Sequence, residues 1–181
     1  MHILIFFLPQ LILFLSLVLV FGLDLVGSKE KKWLPYLALT GTILSLVISI
    51  YIFGWVDITE ELVLGGMIAI DSFALFFQIF ASLVAGIIIL LSMEYMNDRS
   101  PYRGEYYSLI LLASFSISLL SVAADLVMIF IAFELLSISS YILTGFIRKD
   151  GRGSEAAIKY FLYGSLASAM MLYGMSMLYG A

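Results

Sequence analysis

The 181-residue chain has no cysteine, a single histidine at position 2, and charge on only 12% of its residues. The missing cysteine excludes disulfides, zinc–thiolate sites and iron–sulfur ligation by this chain. One terminal histidine excludes a His-rich metal or haem site. A net charge of −4 leaves no basic surface for nucleic acid. Soluble domains carry about 25% charged and about 45–50% apolar residues. Here 63% are hydrophobic and the mean hydropathy is +1.11. What remains is the composition of an all-α polytopic membrane protein, with the lipid bilayer as its first partner.

A spanning helix needs about 20 predominantly apolar residues. Six runs qualify: Ile3–Leu25, Trp33–Gly54, Ser72–Met93, Tyr106–Val122, Leu126–Ile147 and Ala156–Leu178. They form one membrane domain over residues 1–181, without an internal repeat or a low-complexity linker. The first run lacks a positive n-region and a small-residue cleavage site, so it reads as a retained helix with Pro9 near its start. The fourth is the shortest, and Ala123-Ala124-Asp125 must turn tightly into the fifth. The second link carries Leu62-Val63-Leu64-Gly65-Gly66-Met67-Ile68. This pattern reads as a short β-hairpin around Gly-Gly, or as a re-entrant or interfacial loop.

Lys29, Lys31 and Lys32 lie in the first link, Arg99 and Arg103 in the third, and Arg148, Lys149 and Arg152 in the fifth. The even-numbered links carry no Lys or Arg, and the second has Asp57, Glu60 and Glu61. The positive-inside rule places links one, three and five in the cytoplasm and both termini outside. Trp33, Tyr36, Trp55, Tyr95, Tyr102, Tyr106 and Tyr107 stand near helix ends, as an aromatic belt requires.

Glu134 is the one acid inside the run Leu126–Ile147. It lies about 12 Å into that helix, near the middle of a core about 30 Å thick. A charge at that depth costs roughly 3 kcal/mol or more, and such residues mark ion or proton pathways. Apolar surroundings disfavour a charged carboxyl group and a nearby cation favours it, so one balanced between them is switched by a modest movement of charge. The bland alternative is a neutral Glu bonded to a neighbouring helix. Ser137 and Tyr141 continue a polar stripe on the same face, with Ser139, Ser140 and Thr144 beside it. The stripe can hold water and pass protons, or supply interhelical hydrogen bonds.

Lys159 is the only basic residue within a predicted helix. It can snorkel from its position near the basic end, and Glu155 precedes it at the favourable i,i+4 spacing. Helices five and six run antiparallel, which leaves Glu134 and Lys159 about 11 Å or more apart along the membrane normal, too far for a direct ion pair. Asp71 and Asp125 read as helix caps and Asp24 as a solvated acid beside the first basic link. Gly164 and Ser168 form a small-xxx-small packing face. Met170, Met171, Met175 and Met177 read as packing rather than ligands.

Phe133-Glu134-Leu135-Leu136-Ser137-Ile138-Ser139-Ser140-Tyr141, Gly145-Phe146 and Ser154-Glu155-Ala156-Ala157-Ile158-Lys159-Tyr160-Phe161 closely resemble subunit N of the proton-pumping NADH:quinone oxidoreductases, respiratory complex I. Ile70–Phe76 and Leu172–Met175 share the likeness. It runs through all six helices in order and is most specific between Asp125 and Gly174. The resemblance implies the N-terminal part of an antiporter-like fold of about fourteen helices. It also implies a proton path in which Glu134 matches the fifth-helix glutamate and Lys159 the sixth-helix lysine. The family's seventh-helix lysine has no counterpart before Ala181.

By the same resemblance the chain is a non-redox membrane-arm subunit with no catalytic chemistry of its own. It binds no cofactor. NADH, flavin, iron–sulfur clusters and quinone belong to partner subunits, and the location is the bacterial inner (plasma) membrane. The alternatives are a subunit of a multisubunit sodium/proton antiporter, or a truncated structural or assembly piece without its own channel.

Overall fold

A computed structural model describes residues 5–26, 32–56, 61–99, 103–147 and 151–180. It contains α1 (Leu8–Val26), α2 (Leu34–Trp55), β1 (Glu61–Val63), β2 (Ile68–Ile70), α3 (Ser72–Arg99), α4 (Arg103–Val122), α5 (Leu126–Thr144) and α6 (Gly151–Tyr179). All six helices are long and apolar enough to cross a membrane. The chain is thus a multi-pass, all-α membrane protein with a small hairpin at one end. The expected helix start at Ile3, and His2, Lys29, Lys31, Asp57, Glu60, Tyr102, Arg148 and Lys149, lie outside the described residues.

Helix boundaries differ from the hydropathic ones where polar residues continue a helix beyond lipid. α3 runs six residues past Met93, through Glu94-Tyr95-Met96-Asn97-Asp98-Arg99. α6 begins five residues before Ala156, in the polar segment Gly151–Glu155. α5 instead stops at Thr144, where Gly145 donates its N–H back to Tyr141 O at 3.4 Å and ends the ladder.

The link between α2 and α3 is the expected hairpin. Glu61 pairs with Ile70, Leu62 with Ala69 and Val63 with Ile68, antiparallel. Leu64, Gly65 and Gly66 all have positive φ; the two glycines take it without strain, while Leu64 is held in the left-handed region at the start of the turn. The hairpin grips the tight α4–α5 turn. Ile68 forms a bridge with Ala123, and Ala124 N–H donates to Met67 O at 2.9 Å. The Asp71 carboxylate accepts from Ala74 N at 2.6 Å, and Asp125 accepts from Val127 N at 3.1 Å. Both acids are therefore the N-caps expected of them.

α4 is the centre of the bundle and packs against α1, α2, α3 and α5. Gly104, Tyr107, Leu111, Ser114, Ser118 and Val122 form one buried stripe, and Ser108, Ile110 and Ser116 are buried beside it, as a helix surrounded by neighbours requires. α6 touches the bundle chiefly through α5, and Ser168 is its one buried residue.

Two expectations are corrected. Tyr107 does not belong to an aromatic belt: it is fully buried in the apolar cluster with Leu13, Ala38, Ile89 and Leu111, because it falls on the packed stripe of α4. Asp24 is not simply solvated either. Its Oδ2 accepts from Glu105 N at 3.2 Å, so the last turn of α1 supplies a partner for an otherwise unbonded N–H at the start of α4.

Replacing Asp71 or Asp125 by Ala removes a cap, and each variant is expected to lose about 1 kcal/mol of stability. Equilibrium unfolding in mixed lipid–detergent micelles checks this. Unchanged midpoints in both variants count against the caps.

Candidate functional site around Glu134

α5 buries only Ala132 and Ser139, seven residues apart on one face. Glu134 stands on another face, two positions from Ala132 and about 200° around the helix axis. Tyr141, seven residues further on, shares that face and meets α6. Its ring stacks edge-on against Tyr160 at 4.8 Å and Phe161 at 5.8 Å between centroids. Glu134 itself is half-buried. Its Oε1 is shielded from solvent and has no hydrogen-bond partner among the described residues.

Tyr141 lies directly over Gly164 of α6, in space that a Cβ there would occupy. This contact sets the register of the two antiparallel helices. With the close approach of Gly145 to Ala157 Cβ, it brings Glu134 level with the buried Ser168 and Ser137 level with Ser165. Lys159 then stands level with Leu143, about 14 Å along the axis from Glu134. The two are not neighbours. Lys159 Nζ instead pairs with Glu155 Oε1 one turn away, with both side chains about two-thirds exposed, at 65% and 64%.

The hydroxyls beside Glu134 are mostly committed to their own helix. Ser139 donates to Leu136 O at 2.8 Å, Ser140 to Ser137 O at 2.7 Å and Thr144 to Ser140 O at 2.8 Å. Ser140 also reaches Tyr160 Oη at 3.3 Å, a bond that crosses to α6. Gly164 and Ser168 thus form the close-packing face expected of them. Tyr160 is a participant that the sequence reading does not single out, because it looks like one aromatic among many.

Towards the hairpin end, a cleft of about 490 Å³ separates α5 from α6. Leu126, Val127 and Phe130 line one wall, and Leu172, Met175 and Tyr179 the other. Phe130 lies one turn from Glu134, so the apolar cleft approaches the carboxylate from that side. Among the described residues, no three His, Asp or Glu side chains converge as a metal site requires.

Residues 123–181 match a family profile described as NADH:quinone oxidoreductase/Mrp antiporter, TM. Over 96% of its length the chain is 37% identical to NADH-quinone oxidoreductase subunit N of Dehalococcoides mccartyi, of which it covers 35%. It is 39% identical, over 95% of its length, to NAD(P)H-quinone oxidoreductase subunit 2 of Gloeothece citriformis, of which it covers 33%. A chain of respiratory complex I from Thermus thermophilus with bound aureothin superposes with a TM-score of 0.78 and 31% identity, over 96% of this chain and 37% of that one. A chain of the membrane-bound sulfane sulfur reductase, an archaeal respiratory membrane complex, superposes with a TM-score of 0.84 over the whole of this chain and 38% of that one. At 22% identity the latter likeness concerns the fold alone. The chain spans about a third of the length of its curated relatives.

Gly164→Ala drives a methyl group into the Tyr141 ring and is expected to cost about 1–3 kcal/mol, as overpacking does. Combining it with Tyr141→Ala should recover much of that loss. A double-mutant cycle on unfolding in lipid–detergent micelles checks this, and strictly additive losses count against the contact.

Proposed function

We propose that this chain, which is similar over almost its whole length to the N-terminal portion of subunit N of NADH-quinone oxidoreductases, belongs to the membrane arm of such a complex and contributes to proton translocation. The observation that carries this reading is Glu134: a carboxylate near mid-span with a shielded oxygen that no described residue bonds. A carboxyl group so placed is stabilised in its charged form only by something that approaches it. A carboxyl group at that depth marks a proton or ion pathway.

Ser137 and Tyr141 are supporting polar groups on the same face. Tyr141 holds α6 against α5 at Gly164, and Ser137 stands between it and Glu134 on the same face. Lys159 acts at a distance, through water or intervening groups, because its direct partner is Glu155. NADH, flavin, iron–sulfur clusters and quinone are assigned to partner subunits, and the redox step with them. The membrane is the bacterial inner membrane, with Lys32 and the first turns of α4 and α6, which carry Arg103 and Arg152, on the cytoplasmic side. The matching profile also describes Mrp antiporters, which favours sodium/proton exchange as the second reading.

Glu134→Gln keeps the side-chain volume and removes the titratable proton. In the intact assembly it should abolish or strongly reduce the protons translocated per NADH oxidised, measured in inverted vesicles, while subunit assembly is retained. An unchanged stoichiometry overturns the role given to Glu134, and sodium-dependent transport without NADH oxidation favours the antiporter reading. The exposed Lys159–Glu155 pair contributes no more than about 0.5 kcal/mol. Lys159→Gln should therefore leave the fold intact and lower the translocation rate, and an unaltered rate removes Lys159 from the path.

A further inference from the structure

The four-helix part of the bundle, α1 to α4, does not have one continuous apolar core. One apolar cluster, with Phe6, Ile52, Ala74, Leu75 and Val122, lies at the hairpin end. Another, with Leu13, Leu34, Ala38, Ile89 and Leu111, lies towards the basic links. Between them each helix places polar residues on its buried stripe. α1 contributes Gln10 between Phe6 and Leu13. α2 contributes Ser45 and Ser49 between Ala38 and Ile52. α3 contributes Gln78 and Ser82 between Leu75 and Ala85, and α4 contributes Ser118 between Leu111 and Val122. All six are buried, none more than 3% exposed. Gln10 and Gln78 are the only glutamines in the sequence.

Most of this layer's polar atoms bond to one another or to backbone. Ser45 Oγ lies 3.0 Å from Ser82 Oγ and donates to Pro9 O at 3.2 Å. Ser49 donates to Ser45 O at 2.8 Å. With the Gln10 amide oriented by its neighbours, its nitrogen donates to Phe6 O at 3.0 Å and Phe7 O at 3.2 Å, and its oxygen accepts from Gln78 Nε2. Two atoms are left over at this depth, and a third, Ser114 Oγ, lies one turn further along α4. Gln78 Oε1 and Ser118 Oγ are buried and have no hydrogen-bond partner among the described residues.

We infer that this layer is a binding site for internal water, held by Gln78 Oε1 and Ser118 Oγ between the two apolar clusters. A buried amide oxygen and hydroxyl left unbonded in a membrane interior are costly, and lipid supplies no donor. A water molecule needs two to four polar partners. The amide oxygen accepts one of its hydrogens, and the hydroxyl gives or accepts another bond. An alkali cation asks for more. Nearly every other oxygen in the layer is already engaged, and its members carry no charge to offset that of an ion. The site lies in the hairpin half of the span, as Glu134 does: Ser118 about 6 Å from the end of α4, and Gln78 about 9 Å from the start of α3.

X-ray hydroxyl-radical footprinting of the native membrane assembly carrying this chain tests the inference, because radiolysis of bound water oxidises the side chains that flank it. Leu75 and Leu13 border the layer. Leu34 and Ile89, equally buried in the basic-end cluster, serve as dry references. Oxidation of Leu75 and Leu13 should be severalfold faster than that of Leu34 and Ile89, and should fall to the reference rate in Gln78→Leu and in Ser118→Ala. If Gln78→Leu does not assemble, the wild-type ratio and Ser118→Ala carry the test. Equal rates at all four residues in the wild type overturn the water site. Rates that change when sodium is exchanged for choline overturn it in favour of a cation.

Discussion

Lipid offers no hydrogen bond, and the rest of this structure follows from that. Each helix satisfies its own backbone, so every polar side chain within a span must find a partner inside the protein or bear the cost of having none. Most of the serines and threonines meet the constraint locally. Ser16, Thr42, Ser92, Ser116 and Ser139 each bond a carbonyl of their own helix. Asp24, Asp71 and Asp125 meet it at helix termini, where free N–H groups wait for an acceptor. Glu134 cannot use either device in mid-helix, which is why its carboxylate stands apart from every other acid that the structure describes.

The same constraint makes α4 the pivot of the bundle. Its enclosed stripe closes the four-helix part through Tyr107 and Leu111, and the neighbouring helix α5 carries Glu134. The hairpin then fixes the α4–α5 turn from the opposite connection, through Ile68 with Ala123 and Met67 with Ala124. α6 is held by less: the stack of Tyr141 on Gly164, Tyr160 and Phe161, and one bond from Ser140. Most of its surface faces outward.

Much of the architecture was legible in the residues. Six apolar runs, the tight Ala123-Ala124-Asp125 turn, the Gly65-Gly66 hairpin and the two caps follow from hydropathy and turn chemistry, which act over a few neighbouring residues. Hydropathy did not locate the true ends of α3 and α6, because helices continue into water while apolar runs do not. Glu134 stood out because its cost depends on depth alone. Tyr107, Asp24 and the Gln10–Gln78 pair were not read correctly, or not singled out. Their roles depend on which helix lies opposite, and no local pattern carries that information.

The sequence by itself determined the membrane class, the number and order of the helices, the alternation of basic and acidic links, and the depth of Glu134. These depend on composition and on rise per residue, which are properties of each segment alone. Only the tertiary structure decided that α4 is central, that Asp24 of α1 serves the start of α4, and that polar residues from four helices meet in one layer. Those outcomes depend on the rotation and register of packed helices. Contacts such as Ser45 with Ser82 and Asp24 with the Glu105 N–H hold that register, and they join residues far apart in the chain.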